Sequence, residues 1–164
     1  MQKNYLYWLL PTSWMAIVFF SSSTPYEKQD IKPILSDMID LSILQPYVSW
    51  VSFQYNHSEV SINALGVNGL IEFFIRKGAH FGTFFILMIL FYIAFRKTAK
   101  WPLHKILVIS FFSTIAYAII DEIHQGFTPN RTPYIGDVMI DGFGTSIAYL
   151  ILLFWKRKKI SELS

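Results

Sequence analysis

The chain contains no cysteine. Disulfides, thiolate nucleophiles and cysteine-based metal sites are therefore excluded. Charge is scarce too: 15% of the 164 residues are Asp, Glu, Lys or Arg, against roughly a quarter in a soluble domain. That is too little to coat a water-facing surface. Apolar residues make up 53% of the chain and aromatic ones 18%, including five Trp and nine Tyr, which suits a surface facing lipid. The net charge of +3 does not point to nucleic acid, because the basic residues flank apolar runs instead of forming a patch. No repeat or low-complexity tract divides the chain, which reads as a single membrane domain over residues 1–164.

Four apolar runs are long enough to be membrane helices: residues 5–22, 78–95, 103–120 and 135–155. About 20 helical residues cross a hydrocarbon core of about 30 Å. Lipid offers the backbone no hydrogen-bond partner, so helix is the conformation expected. The fold class is all-α membrane, a four-transmembrane-helix bundle with an extracytoplasmic segment, residues 24–75, between helices one and two. With the N-terminus inside, the inner segments carry Lys3, Arg96, Lys97, Lys100, Lys105 and Lys156 to Lys159, nine basic residues against the single acid Glu162. The outer face then holds five basic residues and ten acids. Both termini are expected in the cytoplasm of a cell with this plasma-membrane protein. The first run has no A-x-A site after it, and Ser21 to Pro25 reads as a helix stop, not a cleavage site.

The outer segment is too long for a structureless loop. Ile34, Leu35, Met38, Leu41 and Ile43-Leu44 follow Pro33 near helical spacing, which predicts an amphipathic helix on the leaflet or across the bundle mouth. From Tyr47 to Ile62, alternation of Tyr47, Val51, Phe53 and Tyr55 predicts a β-hairpin turning near Asn56-His57-Ser58. The stretch from Leu70 is expected to be helical and to continue into the second span.

The unusual residues gather at the outer ends of the spans. Arg76, Lys77 and His80 share part of one helix surface, on the side where basic residues are least expected. The third span ends in Asp121-Glu122-Ile123-His124-Gln125, with Gly126 as its stop. Carboxylates at a helix C-terminus oppose the macrodipole and call for cations nearby; Arg76, Lys77, His80 and Arg131 are available. Asp137 and Asp141 stand one turn apart on the fourth span, and Gly144 with Ala148 forms a small-xxx-small surface for close helix approach. Three roles are open to this cluster. It could neutralise itself and fix packing, bind an outer-leaflet ligand, or catalyse. In the second and third roles Arg76, Lys77 and Arg131 hold anionic groups beside Asp121, Gln125, Asp137 and Asp141, while His80, Glu122 and His124 are the acid-base candidates. No H-E-x-x-H cluster supports a metal, no G-x-S-x-G elbow supports a serine hydrolase, and no cofactor is implied. Membrane lipids are the expected partners, with a lipid-linked or cell-wall component as the ligand.

Several motifs together resemble the VanZ-like family, named for an accessory teicoplanin-resistance protein of Gram-positive bacteria. They are Ser21 to Pro25, then Arg76-Lys77-Gly78-Ala79-His80-Phe81, then Asp121 to Arg131 as D-E-x-H-Q-x-x-x-x-x-R, then Asp137, Asp141 and Gly142-Phe143-Gly144. The chain departs from the family in carrying Phe84 or Phe85 where Tyr is common, and Asp141 near a common Asn. The resemblance implies a bacterial cell-envelope protein linked to low-level glycopeptide resistance. An intramembrane hydrolase or transferase acting on a lipid head group or lipid-linked wall precursor is one alternative; a non-enzymatic assembly partner is another.

Overall fold

The computed structural model describes residues 2–38 and 40–161; Glu162, the one acid of the inner count, lies outside them. The first apolar run is a 3-10 helix, Gln2–Trp8, leading into α1, Leu9–Ser22. Pro11 accounts for the change of geometry. It has no N–H to give the Tyr7 carbonyl, so α-helix begins only where Pro11 falls in the first turn. At the other end the hydroxyls of Ser23 and Thr24 take the carbonyls of Phe19 and Phe20, at 2.8 and 3.0 Å, and Pro25 ends the run.

The segment between the first run and the next long helix is more broken than its hydrophobic spacing predicts. It forms α2, Lys32–Met38, then a 3-10 turn, Leu41–Leu44, then α3, Gln45–Val48. Asp40 causes the break, because its carboxylate accepts from the Ser42 N–H at 3.0 Å and starts a new turn. The hairpin is present but shorter than expected, β1 (Ser52–Tyr55) pairing antiparallel with β2 (Ser58–Ser61). Tyr47 lies in α3 and not in the strand. Asn56 and His57 both have positive φ, 47° and 61°, as a two-residue turn matched to strand twist requires.

Among the described residues three helices are long and apolar enough to cross a membrane: α4 (Ile62–Thr98), α5 (Leu103–Gln125), and α6 (Ile135–Ser161) over its stretch Ile135–Trp155. Ser61 caps α4 by accepting from Ala64 N–H, and Gly66, at φ 69°, kinks it before the span. That conformation suits glycine alone among common residues. α5 ends at Gln125, but Gly126 is right-handed, φ −62°. Glycine is needed there for space, since a Cβ would lie 3.0 Å from Pro133 Cγ.

Contacts fix the helix directions. Trp8 packs on Phe95, and Trp14 Nε1 donates to the Thr83 carbonyl at 3.1 Å, so the first run is antiparallel to α4. Tyr117 donates to the Met15 carbonyl, and Ser23 meets His124, so it runs alongside α5 in the same direction. Asp137 meets Lys77 and Asp141 meets His80, making α6 parallel to α4. One core joins Val18, Phe84, Leu87, Phe91 and Tyr117, and a second joins Met88, Tyr92, Ile106, Leu107 and Leu152. The hairpin seats Val51 and Val60 on Leu70 of α4. Outward-facing residues such as Phe112, Ile120, Met139 and Phe143 are exposed, as lipid contact requires.

Gly144 sits at the α4–α6 crossing, where an added Cβ would run into the Phe81 carbonyl. Gly144→Val should therefore force the helices apart and cost about 1 to 3 kcal/mol or more. Gly78, with open space around it, should accept Ala with little change. Thermal melts of the detergent-solubilised variants check the contrast, and equal melting would contradict the crossing.

Candidate functional site

The structure places the polar residues of α4, the end of α5 and the start of α6 at one end of the bundle, in two groups, with His124 apart from both. The division begins in sequence. Adjacent helical residues point about 100° apart, so Arg76 and Lys77 cannot face the same neighbour, whereas Arg76 and His80 lie on one stripe.

The first group seals α4 to α6. Lys77 pairs with Asp137, and Tyr55 from β1 donates its hydroxyl to the same carboxylate oxygen. The Lys77 ammonium also lies 4.4 Å from the Tyr55 ring centre and 5.4 Å from that of Phe73. Phe73 and Tyr134 meet the Tyr55 ring edge-on. Burial first, then the Asp137 carboxylate, pushes the Tyr55 phenol far above its ordinary range. Glu122 belongs with this group. One of its oxygens accepts the Tyr134 N–H beside the start of α6, an anion at the positive end of a helix, and the other has no hydrogen-bond partner among the described residues.

The second group lines a cavity of about 300 Å³ between α1, α4, α5 and the chain after α1. Its polar wall includes Ser21, Gln29, Arg76, His80, Gln125 and Arg131, with Asp121; its apolar wall includes Trp14, Ile17, Val18, Ile75 and Phe84. Asp121 accepts from Gln125 at 3.0 Å, and Gln125 accepts from Arg131 at 2.9 Å. Arg131 also donates to Gln29, whose amide holds the Ser21 carbonyl at 2.8 Å. Arg76 lies over the Tyr26 ring at 4.7 Å, with Glu72 at 4.0 Å, and Tyr26 donates to Glu72 at 3.1 Å. Burial lowers the Arg131 pKa, and the Arg76 charge adds to the effect. Burial likewise raises that of Tyr26, with Glu72 contributing.

His80 joins the two groups. Its Nδ1 lies 3.2 Å from Asp141 Oδ1, and Asp141 is only 1% exposed. With Asp141 ionised, its carboxylate can only accept, which puts a proton on Nδ1 and leaves Nε2 a lone pair when the ring is neutral, on a side chain that lines the cavity. A ring held in this way can accept a proton or attack an electrophile.

His124 lies elsewhere. It stacks on Phe19 at 4.1 Å and meets Ser23, joining α5 to α1, and it is not part of the cavity wall. Lys77, Glu122, Asp137 and Asp141 are likewise absent from the wall. Sequence reasoning missed Gln29, Trp14, Tyr26 and Tyr55, because each reaches the site from a segment whose path only the fold determines. Glu72 had a signal, standing one turn before Arg76 on the same helix. Among the described residues no group of three His, Asp or Glu is placed to hold a metal ion.

The family model described as VanZ/LLP1 matches residues 7–156. No curated protein and no solved structure matches the chain.

Lys77→Met should leave Asp137 with only Tyr55 and destabilise the bundle by about 3 kcal/mol, while Lys77→Met with Asp137→Leu should recover most of it. Unfolding titrations in mixed detergent check this, and a double variant as unstable as the single one would contradict the pairing. Tyr55 carries a pH signature. Its folded phenol keeps the proton beyond the pH of about 10 at which an unfolded tyrosine loses it, so its contribution is full below that pH and is lost as pH rises further. Tyr55→Phe should therefore lower stability at pH 8 and make the alkaline fall in stability shallower.

Proposed function

The chain belongs to the VanZ/LLP1 family, and from that premise we propose that it is a bacterial cell-envelope membrane protein whose outer-face polar cluster binds or modifies a surface ligand. The observation that supports this most is the cavity itself, where two arginines, Asp121 and the free edge of His80 meet an apolar wall. A cluster serving only to pack helices has no need of an open chamber with both kinds of wall.

In this reading the first run is a fourth span. Its seven 3-10 residues and fourteen α-helical residues extend about 14 Å and about 21 Å, together enough for a core of about 30 Å. Both termini then lie in the cytoplasm, and the cavity opens at the outer leaflet of the plasma membrane. A protein holding a surface ligand there can lower the access or binding of teicoplanin-type drugs. The second reading, a hydrolase or transferase acting on a lipid head group or lipid-linked wall precursor, is favoured by one observation. The Asp141–His80 pair engages Nδ1 and leaves Nε2 without a hydrogen-bond partner among the described residues, on a side chain that lines the cavity, as a general base or nucleophile requires.

Since the chain has no native cysteine, topology can be tested with single introduced thiols. His57→Cys in the hairpin turn should react with a membrane-impermeant maleimide on intact cells, and Lys100→Cys between α4 and α5 should react only after lysis; the reverse pattern would invert the account. For function, Arg131→Gln and His80→Gln should abolish any gain in teicoplanin tolerance that the chain gives a susceptible Gram-positive host. Loss of one charge-assisted contact of about 1.5 to 3 kcal/mol corresponds to roughly a tenfold to hundredfold loss in ligand affinity. Membrane abundance of Arg131→Gln should be unchanged. If abundance falls in step with tolerance, these residues serve packing.

A further inference from the structure

Two residues of the cavity wall each hold a buried polar atom with no hydrogen-bond partner among the described residues: Arg131 Nε, a donor, and Asp121 Oδ1, an acceptor. Each is a free-energy cost until a ligand, with a small shift of the side chain, supplies a partner. Arg131 makes its side-chain hydrogen bonds to the neutral amide oxygens of Gln125 and Gln29, and no carboxylate stands within 4.0 Å of it among the described residues. Arg76 shares the wall, and its acidic neighbour Glu72 is 4.0 Å away and already accepts from Tyr26. Two guanidinium groups thus line one chamber, Arg131 with no carboxylate within 4.0 Å and Arg76 with Glu72 only at that limit. The pair suits an anion with several oxygens better than a single carboxylate or a neutral sugar, because a guanidinium can donate to more than one of them.

The opposite wall gives the second requirement. Ile17 and Ile75 line the cavity and yet are 60% and 47% exposed, so the chamber is open on its apolar side. In a bilayer that side meets acyl chains instead of water. The volume, about 300 Å³, corresponds to about ten waters at their share of the liquid. It accommodates a small head group with the first carbons of its chain, not a whole lipid. Asp121 sits among the same polar residues and adds a third requirement, a hydroxyl or other donor next to the anion.

We infer that the cavity takes a phosphate-headed lipid, with its phosphate between Arg76 and Arg131, a head-group hydroxyl on Asp121 and its acyl chain leaving past Ile17 and Ile75. This rests on the proposed role of the cavity as a ligand site and specifies the ligand. It also reassigns Lys77. Although basic and adjacent to Arg76, Lys77 takes no part in binding phosphate, because Asp137 and Tyr55 occupy it.

The test uses the full chain in a neutral detergent, with binding read by native mass spectrometry and by thermal shift. The probes are dihexanoyl phosphatidylglycerol, the matching dihexanoylglycerol without phosphate, and inorganic phosphate. The phosphatidylglycerol should bind at least tenfold more tightly than either control. Arg131→Gln should weaken it at least tenfold, Arg131→Lys should weaken it less while keeping the fold, and Arg96→Gln at the opposite end should leave it unchanged. Equal binding of dihexanoylglycerol overturns the phosphate assignment, and equal binding of inorganic phosphate overturns the lipid assignment. If none of the three binds but Arg131→Gln releases another amphiphile that copurifies with the protein, this inference fails and the ligand-site reading stands. If no amphiphile binds at all, both fail.

Discussion

An ionised carboxylate inside an apolar helix needs a partner, and that need organises this bundle. α6 carries two, Asp137 and Asp141, a turn apart. α4 meets them with Lys77 and His80, also about a turn apart. Because the two helices run in parallel, the pairs act as two teeth of one register, and sliding either helix by a turn would break both. A partner lost from such a pair leaves a charge with low-dielectric surroundings and nothing to offset it. Gly144 lies just beyond, where the backbones touch at Phe81. Charge sets the register and glycine sets the distance.

From that register the site follows. With Lys77 turned to α6, helical geometry turns Arg76 and the Nε2 edge of His80 toward α1. The segment between α1 and α4 then closes the mouth from two sides. Tyr55 from the hairpin covers the Lys77–Asp137 pair, while Tyr26 and Gln29 from the chain after α1 engage Arg76 and Arg131. The lock and the chamber therefore share one helix but use different faces of it. His80 is the exception, held by the lock through one nitrogen and open to the chamber through the other.

Much of this was legible in the sequence, and the parts that were not have physical reasons. Hydropathy located the three long spans because burial in lipid demands continuous apolar runs. Asn56-His57 was readable as a turn because tight hairpins need positive φ. The Gly144–Ala148 spacing announced the close crossing. Other features depend on competition that spacing does not reveal. Asp40 broke an apparently continuous amphipathic stretch by capping a new turn, and Pro11 forced a 3-10 entry into the first run. Gly126 ends α5 as expected, but its right-handed conformation and the nearness of Pro133, for which it leaves room, could not be read from the sequence. His124 stood beside Glu122 in the strongest motif, yet it stacks on Phe19, because side chains two apart on a helix leave in different directions. The contributions of Gln29 and Tyr26 arise from a segment with no periodic signal.

The central claim is that Asp141 fixes one nitrogen of His80 and leaves the other for whatever enters the cavity. Nitrogen-15 NMR of histidine-labelled full-length protein in detergent micelles tests it directly, with Asp141→Asn and His80→Gln used to assign the ring. The account predicts a His80 ring that carries a proton at Nδ1, held there by Asp141, with an Nε2 resonance that shifts when envelope lipids are added. A ring protonated at Nε2, unaltered by Asp141→Asn and insensitive to any added lipid, would contradict it.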